Sequence, residues 1–171
     1  MARVELAAVV VLVASACGKQ SAAPRSWSVA DTGAGPVAVG MSFDEANRAA
    51  GGTLRLSQPL QPEGCTFAWG PDSVAFMIEN GRLVRVDVRT PGIKTSAGAM
   101  VGDAEARIEE LYAGRVTRMP HKYEQGSLYL TVASRETARG TAQLIFETDG
   151  KVVTRFRGGL LPQVAYVEGC G

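Results

Sequence analysis

The tightest constraint on the fold is a stretch of alternating residues interrupted by Asn80-Gly81. Before the interruption Val74, Phe76 and Ile78 share one face. After it Val84, Val86 and Val88 share one face, while Leu83, Arg85, Asp87 and Arg89 point the other way. Period-two alternation on both sides of an Asn-Gly pair predicts an antiparallel hairpin. Both turn residues accept the positive φ of a type I′ turn, and the alternation buries one side of the pair. Upstream, Cys65, Phe67 and Trp69 share a face of a further strand. The pattern returns later, with strands expected over 115–119, 127–133 and 141–148, a tight turn at Asp149-Gly150, and a return strand over 151–157.

Each group of strands is preceded by a helix signal. Ser42-Phe43-Asp44-Glu45 is a capping box, in which the Ser and Glu side chains each satisfy an orphan backbone N–H. Phe43, Ala46 and Ala50 then fall on one helical face, and Gly51-Gly52 ends the helix. Gly102-Asp103-Ala104-Glu105 opens a second helix, with Ala104, Ile108, Leu111 and Tyr112 on one face and Gly114 at its end. Glu45 and Glu105 mark helix starts about 60 residues apart, and the two tight turns lie about 70 apart. The expected fold is therefore α+β: tandem helix-plus-antiparallel-meander units, with the helices on one face of an antiparallel sheet. The two repeats would span about residues 38–90 and 98–158.

Gly40-Met41-Ser42-Phe43-Asp44-Glu45 and the Asn/Asp-Gly hairpins resemble the pattern of two groups. One is the tandem-repeat β-lactamase inhibitory protein. The other is the small lipoprotein of the outer-membrane barrel-assembly machinery, which has a single such unit. In the second half Gly102 stands where the pattern has Ser. The resemblance covers about residues 37–157. It implies helices packed on one face of an antiparallel sheet, with the other face left free for a protein partner. It transfers no individual functional residue.

The N-terminal stretch Leu6–Cys17 is a different kind of segment. Its apolar run of about 11 residues falls well short of the roughly 20 that span a bilayer, and it follows Arg3. This reads as a signal peptide over residues 1–16. Ala14-Ser15-Ala16-Cys17 fits either ordinary signal peptidase or the lipobox of a bacterial lipoprotein, in which Cys17 carries the lipid; Ala14 stands where the lipobox usually has Leu. Residues 17–37, small, polar and broken by Pro24 and Pro36, are expected to be a flexible tether with Trp27 able to dock on the body; the body is 38–171. Cys17, Cys65 and Cys170 are the cysteines of the chain. Lipidation of Cys17 leaves an even pair in an oxidising compartment, which predicts a Cys65–Cys170 disulfide that staples the apolar C-terminal tail across both halves.

Chemistry-bearing signals are sparse. There is one histidine, His121, with no second one for a metal site or a triad. No serine sits in a nucleophile elbow, the Gly-rich segments lack the context of a phosphate loop, and Glu109-Glu110 reads as a solvated helix end. A net charge of +1 gives no bulk electrostatic reason to bind nucleic acid. The expectation is a non-enzymatic protein without a cofactor. It would be lipid-anchored in the bacterial envelope, at the outer membrane facing the periplasm in a Gram-negative cell. There it would bind or assemble with an envelope protein. The candidate binding face consists of residues expected to point away from the core: Arg85, Arg89, Tyr129, Arg155 and Arg157, types that protein interfaces favour. The alternative is a small-ligand or cell-wall sensor, which would need a concave pocket near Tyr129 and Arg155.

Overall fold

The computed structural model describes residues 27–170. The expected signal peptide, Cys17 and the first part of the expected tether lie outside the described residues. The rest of the expected tether, from Trp27 on, is folded into the body. Strands β1 (Val29–Ala30), β2 (Gly33–Ala34) and β3 (Val37–Ala38) form a three-stranded sheet of their own. Val29, Ala34, Val37 and Val39 are buried, and Trp27 meets Phe76 edge to face with centroids 6.0 Å apart.

Helix α1 (Phe43–Ala49) follows, closed at its start by the reciprocal Ser42–Glu45 capping box. The main sheet then begins with β4 (Arg55–Leu56), β5 (Cys65–Trp69), β6 (Ala75–Glu79) and β7 (Arg82–Val88). Asn80 and Gly81 take φ of 50° and 72° and turn β6 into β7, as the hairpin signal requires. After helix α2 (Glu105–Leu111) come β8 (Val116–Pro120), β9 (Leu128–Val132), β10 (Arg135–Thr137), β11 (Gly140–Thr148) and β12 (Val153–Leu160). These make one nine-stranded sheet in the order β4-β5-β6-β7-β12-β11-β9-β8, with β10 pairing β11; its strand pairs are antiparallel. The short β10 hairpin was not expected from the sequence.

The α+β expectation is overturned. Strand accounts for 42% of the described residues and helix for 14%, so the fold is a largely β fold and not a set of helix-plus-meander units. The reason is the amount of apolar cover each helix can supply. Both α-helices are seven residues long, about two turns, and each fully buries little more than one apolar side chain, Ala46 in α1 and Ile108 in α2. Much of the remaining cover comes from β1–β3 and from loop residues Leu54, Val74, Ile93 and Ala99. These pack with Phe76, Ile78, Val86, Leu130, Phe146 and Phe156 into the main core. Gly158 marks how closely the small sheet approaches: a Cβ there would stand 2.4 Å from the carbonyl oxygen of Ala30.

One face assignment also changes. Leu83 was expected opposite Val84, Val86 and Val88, yet it lies in the main core with Val86 and Val88. Met77 pairs with Arg85 while Ile78 pairs with Leu83, so Val84 is an extra residue. This bulge shifts the alternation by one and turns Leu83 inward.

Candidate functional site under a C-terminal strap

Strand pairing fixes which side chains share the face opposite the core. Trp69 lies across from Ala75, Ala75 from Asp87, Asp87 from Arg157, Arg157 from Ile145, and Ile145 from Thr131. A neighbouring row runs Arg155, Glu147, Tyr129, Met119. The expected outward residues are thus on the expected side. That side is not free, however, because the chain after β12 folds back over its middle.

The strap is built from a 3-10 turn, Gln163–Ala165, and the residues up to Cys170. Val164 is fully buried and packs with Tyr129, Ile145 and Val167 in a small second cluster. Gly169 passes over Phe67, and Cys170 forms a disulfide with Cys65 on β5, with Cα atoms 5.3 Å apart. The strap's carbonyls are held by arginines of the sheet. Arg85 Nη1 donates to the carbonyls of Gln163 at 3.2 Å and Tyr166 at 2.6 Å, and Arg157 Nε donates to that of Val164 at 2.6 Å.

Both arginines are paired within the sheet as well. Arg85 grips Asp87 with two bonds, Nε to Oδ2 at 2.8 Å and Nη2 to Oδ1 at 2.6 Å. Arg157 and Arg155 each donate to the carboxylate of Glu147, which is buried. Burial pushes the Glu147 carboxyl up, but Arg157 and Arg155 outweigh it and hold the group below the ordinary carboxylate value. His121 closes the cluster. Its Nδ1 accepts from the backbone N–H of Tyr123 and Glu124 at 3.2 and 3.0 Å, which leaves the ring proton on Nε2, 3.3 Å from Glu147 Oε2. The ring stacks on Tyr129 with centroids 4.5 Å apart. The imidazole is buried against these partners and is better placed to position Glu147 than to meet a substrate.

Of the candidate face residues, Arg85, Tyr129 and Arg157 are buried beneath or beside the strap, contrary to an open binding face. Arg155 is half-buried, with 36% of its side chain accessible, and Arg89 is exposed. Sequence reasoning missed Glu147 as the hub of the cluster. The signal was present, since Gln143, Ile145 and Glu147 alternate with core residues Leu144 and Phe146. It also passed over Trp69, which is 44% exposed at the end of the row and lines a cleft of about 220 Å3 with Phe67, Ala75, Asp87 and Arg89. Met119, 46% exposed, sits at the opposite end of the face.

A second cleft, of about 210 Å3, lies on the far side of the molecule between β1, Tyr112, Arg115 and Leu144, beside an Asp31–Arg135 ion pair. Neither of these two clefts is lined by Tyr129 or Arg155; a third, of about 330 Å3, lies beside Tyr129, lined by Lys122, Val167 and Glu168, with Val167 packed on the Tyr129 cluster. Among the described residues no cluster of three or more His, Cys, Asp or Glu is placed to hold a metal ion, and no helix is long and apolar enough to cross a membrane. Comparison with protein-family models, curated proteins and solved structures finds no match.

Proposed function

We propose that this chain is an exported, lipid-anchored module of a bacterial envelope that binds another protein through the rim of its strapped sheet face. The observation that carries the reading is the exposed Trp69, with Arg89 lining its cleft and Arg155 farther along the same sheet face. Large aromatics and arginines on a flat, rigid surface are the residues that carry binding energy in protein interfaces. The Cys65–Cys170 disulfide supports export, because such bonds persist in oxidising compartments. The apolar run ending at Cys17 supports the lipid anchor.

The test is site-specific photo-cross-linking in native envelopes. A photoreactive residue at position 69 should give a discrete adduct that disappears when Arg89 and Arg155 are both changed to Ala. A control at Glu110, well exposed on α2 and away from this face, should give none. Equal adducts at both positions, or adducts indifferent to the two arginines, would remove the rim from consideration.

A further inference from the structure

We infer that the sheet face beneath the strap is itself a docking surface for a short peptide, and that the Cys65–Cys170 disulfide decides whether the chain's own tail fills it. The inference rests on reading this face as protein-binding, and extends it to the part now covered.

Three observations lead there. First, the strap is held in the manner of a peptide ligand. It contributes one fully buried side chain, Val164, and three main-chain carbonyls, those of Gln163, Val164 and Tyr166, which accept from Arg85 and Arg157. Second, the face closes its own charges without the strap. Arg85 keeps both bonds to Asp87, and Arg157 keeps Glu147, so departure of the strap leaves no unpaired buried charge on the sheet. Third, the strap does not satisfy all that it covers. Tyr129 Oη and Thr131 Oγ1 lie buried on this face without a side-chain partner, the Lys122 backbone being the polar group beside Tyr129. Burial and the Glu147 carboxylate push the Tyr129 phenol above its ordinary value, so it keeps its proton and remains a donor.

The donors of the face define the occupant. Arg85, Arg157, Tyr129 and Thr131 all offer N–H or O–H donors. The complement is a short main-chain segment, turned as the 3-10 strap is, that presents carbonyl oxygens around one small branched apolar side chain in the place of Val164. The strap meets this description only in part. Its packed apolar side chains are Val164 and Val167, and its side-chain ties are Gln163 to Glu79 and Glu168 to Tyr123, so with the disulfide broken it should open locally, well below the global unfolding free energy.

A cleft of about 190 Å3, lined by Ser57, Gln58, Thr66 and Phe67, opens onto the two cysteines. A dithiol reductant can release the strap there. One thiolate attacks a sulfur of the bond, forming a mixed disulfide and freeing the other cysteine. The second thiolate resolves the mixed disulfide, and two electrons and two protons pass to Cys65 and Cys170 as the reductant becomes a disulfide.

The experiment uses the full chain and the synthetic peptide Pro-Gln-Val-Ala-Tyr-Val-Glu, matching residues 162–168. Amide hydrogen exchange is compared in oxidised and dithiol-treated protein. Reduction should speed exchange over 163–167 by about tenfold or more and leave β11 and β12 protected. A full chain carrying Cys170→Ser and Val164→Asp, whose own strap is disfavoured, should bind the peptide, and bind a Val→Asp version of it at least about tenfold more weakly. Oxidised wild type should bind neither. Unchanged strap protection on reduction, loss of sheet protection together with the strap, or equal binding of both peptides would each overturn the inference. Dithiol-treated wild type decides the matter should the double variant not fold. Because purified protein and a synthetic peptide suffice, failure here is separate from failure of the cross-linking at the rim.

Discussion

Arg157 Nε donates to the carbonyl oxygen of Val164 at 2.6 Å, and this bond ties the C-terminal strap back onto the centre of the sheet. The same guanidinium neutralises Glu147. One side chain therefore serves both the charge balance of the sheet and the seating of the strap.

Removing Arg157 should be costly. Arg157→Ala strands Glu147 in a buried site with only the half-exposed Arg155 and His121 beside it. Breaking a buried pair by deleting one partner costs about 3–5 kcal/mol, which for a chain of this size lowers the melting temperature by about 6–20 °C. Arg155→Ala should lose less than half as much, because its side chain is partly solvated. Thermal denaturation followed by circular dichroism compares the two; equal losses would show that Glu147 does not depend on Arg157.

Glu147 sets an acid limit. Its carboxyl is held below its ordinary value in the folded protein, so its ionised form contributes stability that is fully present above the unfolded carboxylate value, about 4.5, and is lost as pH falls through the folded one. Wild-type melting temperature should fall with acidification below about pH 4.5, and Glu147→Gln should be less stable at neutral pH but show a flatter acid limb. Parallel profiles for the two proteins would exclude Glu147 as a source of the acid sensitivity.

Gly158 should tolerate no side chain. A Cβ would stand 2.4 Å from the Ala30 carbonyl oxygen, a backbone atom that cannot swing aside. Gly158→Ala should therefore push the small sheet of β1–β3 off β12 and cost about 1–3 kcal/mol. In a Trp69→Phe background the fluorescence reports Trp27, and its emission should shift to the red as the contact with Phe76 loosens. An unshifted spectrum with unchanged stability would mean that the small sheet is not seated on Gly158.

On the proposed reading, Cys17 carries the localisation. Cys17→Ser should abolish incorporation of labelled fatty acid and release the protein from the membrane fraction. Continued membrane association of that variant would discard the lipid anchor. Recovery of the wild-type protein in the inner-membrane fraction of a Gram-negative cell would discard the outer-membrane placement.

Local signals in the sequence determined local structure. Ser42 and Glu45 cap α1, Asn80-Gly81 and Asp149-Gly150 turn their strands, and the alternation along β9 correctly separates Leu130 from Tyr129. Setting Cys17 aside for the expected lipid left Cys65 and Cys170 to pair, as they do across a separation of 105 residues. Each of these rests on interactions among near neighbours, or on elimination, and needs no knowledge of what packs on what. Tertiary structure alone decided the rest. Alternation tells which residues lie opposite the core, but not whether a third layer covers them, and Arg85, Tyr129 and Arg157 were read as open when the strap lies over them. A one-residue bulge at Val84 leaves no mark in the pattern, yet it turns Leu83 inward. Residues 27–37, too short and too rich in Gly for either periodicity to show, become cover for the core because β12 offers them the flat space above Gly158. Burial is a property of the whole assembled surface, and a polar side chain in a strand becomes an interior one only when another segment arrives to pair with it.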